Sequence, residues 1–155
     1  MAKADLVILH MVCALSSYVA FLVACISAIL FLVQERQLKR KRMGWLFHRL
    51  PPLEVLDRIN LLTIGIGFGL LTIGLVFGFI GSKQLLGRWW TGDSKEILTL
   101  LLWGTYLTLW LVRLRSTLRG RRAALLSVLG FSLVLFTFIG ASRLAHSVHP
   151  YLTNV

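Results

Sequence analysis

The sequence has few charged residues, and most of them are basic. Of its 155 residues only 15% are Asp, Glu, Lys or Arg, whereas 57% are hydrophobic and the mean hydropathy is +0.78. So little polar surface cannot coat a water-soluble globule. This composition excludes an ordinary soluble domain and indicates a protein that lies in a lipid bilayer.

Acidic residues are especially scarce, since six Asp and Glu stand against 17 Lys and Arg and leave a net charge of +11. In a soluble protein this charge would suggest binding to nucleic acid. Here the basic residues cluster in short loops between apolar runs, a pattern that sets the orientation of membrane helices. We therefore expect membrane lipid and other membrane subunits as partners, and no nucleic acid.

Three further absences narrow the class of protein. Cys13 and Cys25 lie in one apolar run, too far apart along a helix to bond to each other, so they predict neither a redox pair nor a metal site. The first apolar run is too long for the core of a cleavable signal peptide and ends in a basic cluster. No predicted span carries a charged residue near its midpoint, which argues against a small transporter.

Four apolar runs predict an all-α membrane protein, a single domain with four transmembrane helices in a bundle. Basic loops follow the first and third runs, and the first loop contains Pro51-Pro52 and a short amphipathic segment from Trp45 to Leu50. The predicted boundaries are spans at about 6–33, 59–80, 97–112 and 123–144, basic loops at 34–58 and 113–122, and a tryptophan-rich segment at 81–96.

The basic residues also predict the orientation of the bundle. The two basic loops hold twelve of the 17 Lys and Arg residues, and positively charged loops stay in the cytoplasm. Both termini and the segment 81–96 are therefore expected on the outer side, which is the periplasmic side of a bacterial cytoplasmic membrane.

The second run is rich in glycine at helical spacing. Gly65 with Gly69, and Gly74 with Gly78, have the small-xxx-small spacing that lets two helix backbones approach closely in lipid. The pattern predicts tight packing against a neighbouring helix, and it favours a homo-oligomer or a partner subunit.

The third run carries aromatic side chains on one helix face. Trp103, Tyr106 and Trp110 recur at spacings of three and four residues. This arrangement favours a packed aromatic stripe over the wall of a cofactor pocket.

The segment Gly87 to Glu96 is a polar and aromatic stretch between two long apolar runs. Asp93 is placed to cap the helix that follows, with Glu96 reaching back to complete a capping box. Trp89 and Trp90 have the position of interfacial anchors. A plain anchored loop would explain this segment, but the histidines indicate a second interpretation.

Two histidines are expected in the same outer layer as this segment. His10 lies near the outer end of the first span, and His149 lies just beyond the outer end of the fourth. His48 lies in the opposite, basic loop. A single histidine at a membrane end is either a candidate ligand or a structural residue. Two histidines at the same depth, beside tryptophans, favour the interpretation as ligands.

Haem fits these side chains better than zinc. Zinc sites use three or four ligands, and the outer side offers only three carboxylates besides the histidines. Haem needs one or two axial ligands, a flat aromatic surface, and basic groups for its propionates. The candidates are His10 and His149 for the iron, Trp89 and Trp90 for the platform, and Lys83, Arg88, Lys95 and Arg143 for the propionates.

Several stretches resemble one known family. Residues 90–96 read Trp-Thr-Gly-Asp-Ser-Lys-Glu and are followed by Trp103, Tyr106 and the stretch 119–123. Together they resemble the haem-handling cytochrome c assembly proteins of the CcsA, CcmC and HemX type. The signature of that family is an external WWD segment that ends in Trp-Asp-Pro-Lys-Glu.

The two outer histidines also resemble those of the family. His10 is similar to its first external histidine, and residues 149–151 are similar to a His-Ser-Tyr sequence after its last span. The chain departs from the signature at three positions. Gly92 and Ser94 stand where the signature has tryptophan and proline, and Leu86 stands where another tryptophan is expected.

The resemblance implies a function. His10 and His149 would be axial ligands of a non-covalent, b-type haem, which the WWD-like segment with Asp93 holds on the outer surface for delivery to apocytochrome c. The chain would handle haem without being an enzyme on its own. Two alternatives stay open: an accessory subunit of a larger membrane redox complex, serving electron transfer or packing, and a HemX-like factor in tetrapyrrole synthesis.

Overall fold

The fold is described by a computed structural model over residues 3–41, 44–89, 92, 94–115 and 120–147. Within these ranges every regular element is a helix, and no strand occurs. Four of the helices, all except α2, are long and apolar enough to cross a membrane. The prediction of an all-α protein with four membrane-spanning helices is confirmed. The helices are α1 (Lys3–Lys39), α2 (Trp45–Arg49), α3 (Leu53–Leu86), α4 (Ser94–Leu114) and α5 (Arg121–Ser147).

The helices run beyond the predicted spans. Residues 34–39, 53–58 and 81–86 are helical, although the sequence pattern assigned them to loops and to the tryptophan-rich segment. Glutamine, glutamate, lysine and arginine are good helix formers, so a helix does not have to end where the apolar run ends. At 1.5 Å per residue α1 is about 55 Å long, so its ends reach past a hydrocarbon core of about 30 Å.

Helices α1 and α3 pack closely against each other in antiparallel directions. A Cβ atom on Gly74 would lie 3.2 Å from Cβ of Cys13, and one on Gly67 would lie 2.6 Å from Cε1 of Phe21. The predicted close approach at Gly74 and Gly78 is confirmed, and the neighbour is α1 of the same chain. For Gly69 no atom of the described residues lies within 4 Å of its Cβ position, so close packing at this glycine stays a prediction.

Aromatic side chains of α4 fill the centre of the bundle. The rings of Tyr106 and Phe21 stack with centroids 3.5 Å apart, and both side chains are buried. Trp103 and Trp110 pack against Phe68 of α3 with centroids 5.7 and 5.6 Å away. The predicted aromatic stripe is therefore confirmed as packing between helices.

Helix α5 runs antiparallel to α1 and completes the bundle. A Cβ atom on Gly120 would lie 3.6 Å from Phe31, near the end of α1. Phe138 meets Tyr18 edge to face, with ring centroids 6.5 Å apart. Since α3 and α5 both run opposite to α1, the end of the bundle at which α1 begins is the end at which they finish.

A buried hydrogen-bond network joins three helices inside the bundle, within the first two to three turns of α3 and α5. Asn60 of α3 donates from Nδ2 to the carbonyl oxygen of Ala24 in α1 at 2.7 Å. Ser127 of α5 donates from Oγ to Oδ1 of Asn60 at 3.1 Å. Asn60 and Ser127 are each only 2% exposed. The network satisfies polar atoms that would otherwise be stranded in an apolar interior.

Replacing Asn60 with leucine is expected to lower the free energy of unfolding by about 1–2 kcal/mol, because interhelical hydrogen bonds in membranes contribute this much and both are lost. Unfolding by SDS in mixed micelles measures the change. Thr108→Val is the control, since this exposed hydroxyl donates only to the Gly104 carbonyl of its own helix. Equal stability of the two variants would contradict a role for Asn60 in joining the helices.

An ion pair joins α3 and α4 at the end of the bundle where α3 begins and α4 finishes. Arg113 donates from Nη1 to Oδ1 of Asp57 and from Nη2 to the Asp57 backbone oxygen, each at 2.9 Å. The Arg113 side chain is only 2% exposed. The sequence pattern placed Arg113 in the basic loop 113–122, whereas the structure places it in the last turn of α4.

Candidate functional site

The site is built at one end of the bundle, which we call the histidine end. Helix α1 begins there, α3 finishes there, α4 begins there and α5 finishes there. His10 of α1 lies against α3, and Glu96 and Thr99 of α4 line the same cleft as His10. The other end, which we call the basic end, contains the end of α1, the short α2 and the ion pair between Asp57 and Arg113.

His10 is held in one orientation by the backbone of α3. Its Nδ1 lies 2.6 Å from the carbonyl oxygen of Gly74. A carbonyl oxygen can only accept a hydrogen bond, so Nδ1 carries the hydrogen of the neutral ring. The other ring nitrogen, Nε2, then keeps its lone pair. This is the arrangement in which a histidine coordinates a metal through Nε2, with its orientation set by the second nitrogen.

Gly78 makes room for the His10 ring. A Cβ atom at Gly78 would lie 2.9 Å from Nδ1 and 3.0 Å from Cε1 of His10, closer than real Cβ atoms come to other atoms. Glycine at this position therefore lets the imidazole lie flat against α3. Gly74 and Gly78 are one helical turn apart. Gly74 supplies the carbonyl oxygen that accepts the His10 hydrogen bond, and Gly78 supplies the space for the ring.

Two clefts meet at His10. The first has a volume of about 200 Å³ and is lined by His10, Gly78, Phe79, Glu96, Thr99 and Leu100, among others. The second has a volume of about 210 Å³, and its lining includes Leu6, His10, Phe77, Gly81, Ser82 and Leu85. His10 and Gly78 belong to both clefts, so the ring stands on the wall between them. Apolar atoms dominate the linings, and the carboxylate of Glu96 lies at the α4 side.

The turn after α3 places a tryptophan beside a lysine. Gly87 has a φ of +70° and donates its N–H to the Lys83 carbonyl oxygen, which ends the helix with a left-handed residue. Ser82 donates from Oγ to the Arg88 carbonyl oxygen at 3.2 Å and ties the turn back to α3. This turn brings Trp89 back toward α3, so that Nζ of Lys83 lies 4.0 Å from the Trp89 ring centroid. One face of the indole is covered by the ammonium, which leaves the other for stacking.

The start of α4 is capped by Glu96. Its Oε2 accepts a hydrogen bond from the Gly92 N–H at 3.2 Å. The sequence predicted that Glu96 would reach back in a capping box with Asp93, and the observed contact is one residue earlier. Asp93 lies outside the described residues. The bond holds Gly92 to a residue that lines the cleft containing His10.

Not every predicted site residue falls in the described part of the chain. Trp90, Asp93 and His149 lie outside it. Arg143 belongs to α5, which runs to Ser147 at the histidine end, and only its backbone is described. His48 lies in α2 with its ring edge-on to Phe47, 5.9 Å between centroids, at the basic end. Thus His10, Lys83, Arg88 and Trp89 are the predicted site residues whose side chains the structure shows.

The described side chains include one candidate iron ligand, one exposed aromatic ring and two cations. His10 offers Nε2, Trp89 offers an indole face, and Lys83 and Arg88 offer exposed cations beside it. A porphyrin is larger than either cleft, so it would lie on this surface instead of inside the bundle. Among the residues that the structure describes, no three His, Cys, Asp or Glu side chains form a metal-binding group.

Sequence reasoning missed three contributors to the site. The Gly74 carbonyl oxygen is a backbone acceptor, which no side-chain pattern can indicate. Thr99 and Glu96 come to His10 only because α4 packs beside α3. One signal for the contact at His10 was present in the sequence. The spacing of Gly74 and Gly78 predicted that another helix approaches closely there. In an antiparallel helix pair, His10 lies at the same depth as Gly78.

The chain is similar to known cytochrome c assembly proteins. Residues 1–149 match the protein family described as Cytochrome C assembly protein. The cytochrome c biogenesis protein CcsA of Guillardia theta is 29% identical over 96% of this chain and 54% of its own length. CcsA of Synechococcus sp. (strain JA-2-3B'a(2-13)) is 35% identical over 68% of this chain and 30% of its own length. CcsA of Gloeobacter violaceus is 34% identical over 63% of this chain and 29% of its own length.

The chain thus spans about half of the Guillardia relative and less than a third of the other two. No solved structure matches it.

Proposed function

Because this chain belongs to the cytochrome c assembly protein family, we propose that it serves cytochrome c biogenesis by holding haem at the histidine end of its four-helix bundle. It is a multi-pass membrane protein. The observation that carries the proposal is the hydrogen bond from His10 Nδ1 to the Gly74 carbonyl oxygen. This bond orients the imidazole and leaves Nε2 as the ring nitrogen that can bind a metal.

The other site residues have complementary roles in this proposal. His149 is the second axial ligand, and the haem is b-type and not covalently attached. Trp89 and Trp90, in the segment that includes Asp93, form the platform for the ring. The negatively charged propionates of haem need cationic partners, and we assign this role to Lys83, Arg88 and Arg143. The bound haem would supply the group that is attached to apocytochrome c.

We place the histidine end on the outer side of a bacterial cytoplasmic membrane. Support comes from the opposite end, where exposed basic residues of α1 and α5 gather, because positively charged segments stay in the cytoplasm. In this orientation the Trp89 turn and His10 face the compartment in which apocytochrome c would receive haem.

We propose apocytochrome c as the acceptor, and other membrane subunits or a second copy of this chain as partners. Gly67, Gly74 and Gly78 contact α1 of the same chain, so these three glycines do not support an oligomer. Support comes instead from α4, whose outer face carries a cleft of about 580 Å³ lined by Gly104, Thr105 and Thr108 with three apolar residues. Small residues of this kind let another helix approach closely.

An absorption titration of the detergent-purified chain with haem tests the proposal. The unmodified chain is expected to bind haem with the spectrum of an imidazole-ligated iron. His10→Ala and His149→Ala are each expected to lose that spectrum and to weaken binding more than about a hundredfold, since a removed ligand costs more than the ten- to hundredfold of a lost supporting bond. Adding free imidazole should restore the spectrum of His10→Ala.

His48→Ala is the matched control, because His48 lies at the basic end and should leave the titration unchanged. Normal haem ligation in His10→Ala would contradict the proposal. If the unmodified chain binds no haem, the accessory-subunit alternative remains, in which the bundle serves only in packing within a larger membrane complex.

A further inference from the structure

A groove at the basic end combines basic and apolar side chains. It lies between the last turns of α1 and the first turns of α5 and has a volume of about 530 Å³. Arg36, Lys39, Arg40 and Arg121 line its polar part, and Leu32, Val33 and Leu125 line its apolar part. The site is separate from the histidine end and plays no part in the proposed haem binding.

The groove lies where the two helices leave the hydrocarbon layer. The apolar run of α1 stops at Val33, and charged residues begin two positions later with Glu35. The apolar run of α5 begins at Ala123, directly after two arginines. Packing brings these two boundaries to one level, since Phe31 and Ala124 belong to the same buried cluster. The polar part of the groove therefore lies at the depth of the lipid headgroups.

The charge of the groove suits an anion. Four cationic side chains and the one carboxylate of Glu35 leave a net charge of +3. Glu35 pairs with Lys39 at 2.8 Å, so its negative charge is balanced by that lysine. Helix α5 begins at Arg121, and the free N–H groups of its first turn add positive potential on the same side.

We propose that this groove binds an anionic phospholipid of the surrounding membrane. Arg36 and Arg121, one from each helix, hold the phosphate diester, and the acyl chains lie along Leu32, Val33 and Leu125. A phospholipid satisfies both parts of the groove, whereas a free phosphate ion satisfies only the basic part. Basic pockets between helices at a membrane surface recognise anionic headgroups in this way. The bound lipid bridges α1 and α5 at the basic end.

Native mass spectrometry of the full chain in an uncharged detergent tests the proposal, with dioleoylphosphatidylglycerol and dioleoylphosphatidylcholine as probes. The unmodified chain is expected to bind the anionic lipid in preference to the zwitterionic one. The double variant Arg36→Gln/Arg121→Gln should bind phosphatidylglycerol about ten- to thirtyfold more weakly, and each single variant about fivefold more weakly. Both arginines are exposed, so the variants lose no buried contact.

Two matched variants separate a specific site from general charge. Arg58→Gln/Arg115→Gln removes the same charge from exposed positions outside the groove and should keep affinity within about twofold. Arg36→Lys/Arg121→Lys keeps the charge and should retain most of the binding. The proposal is overturned if the Arg58 and Arg115 variant loses as much affinity as the groove variant, or if phosphatidylcholine binds equally well. Displacement of the lipid by millimolar inorganic phosphate would equally overturn it in favour of a free-anion site.

Discussion

Replacing Gly78 with alanine is expected to weaken haem binding about ten- to hundredfold, although the variant keeps every predicted iron ligand. The expectation rests on the proposed haem site. The added methyl group would lie 2.9 Å from Nδ1 and 3.0 Å from Cε1 of His10. Since real Cβ atoms essentially never come within 3.0 Å of another atom, the imidazole has to turn away from α3.

Turning the ring breaks the hydrogen bond that defines the ligand. His10 Nδ1 now lies 2.6 Å from the Gly74 carbonyl oxygen. Without this bond the ring hydrogen is free to reside on either nitrogen, and the orientation of Nε2 is no longer set. The loss should therefore appear as weaker affinity and as a changed spectrum at saturating haem, and not as unfolding of the bundle.

Gly81→Ala is the control for this experiment. Gly81 belongs to the same helix and lines one of the clefts beside His10, but within the described part of the chain no atom lies within 4 Å of its Cβ position. Alanine there should leave haem binding unchanged, and it should stabilise α3 by about 0.5–1 kcal/mol, because alanine is the better helix former. Similar haem titrations for the Gly78 and Gly81 variants would show that the His10 hydrogen bond does not control the site.

Removing Asp57 is expected to produce the largest loss of stability, about 3 kcal/mol for Asp57→Ala, because it leaves a buried guanidinium without its counter-ion. The Arg113 side chain is 2% exposed and donates to both the carboxylate and the backbone oxygen of Asp57. The loss should lie at the lower end of the range for buried pairs, since the Asp57 side chain is 27% exposed and the backbone oxygen remains.

Unfolding in mixed SDS micelles, monitored by circular dichroism, measures this loss. The double variant Asp57→Leu/Arg113→Met should recover most of the stability, because apolar side chains of similar size replace buried pairs without leaving an unpaired charge. Glu35→Ala removes the partner of the exposed Lys39 and should cost less than about 0.5 kcal/mol. If Asp57→Ala were as stable as Glu35→Ala, the ion pair between α3 and α4 would not hold the basic end together.

The class of the protein and the number of its long helices could be predicted from the sequence. A bilayer requires long apolar runs whatever the helices pack against, so composition and run length were sufficient. Periodicity also predicted correctly that Trp103, Tyr106 and Trp110 share one packed face. The helix ends were not predictable in this way, since α1 continues through charged residues to Lys39.

Helix partners needed the tertiary structure, because spacing describes one face of one helix. The pairs Gly65 with Gly69 and Gly74 with Gly78 look alike in sequence. The structure separates them, since Gly74 and Gly78 contact α1, Gly65 faces Trp110 of α4, and Gly69 has no atom of the described residues within 4 Å of its Cβ position.

The candidate site shows the same division between sequence and structure. By itself the sequence determined that His10 lies near a membrane end, because its distance along an apolar run sets its depth. Only the tertiary structure decided that the imidazole meets the Gly74 carbonyl oxygen and that Gly78 leaves it space. A backbone acceptor carries no side-chain identity, so the nitrogen that remains available to a metal depends on how two helices pack.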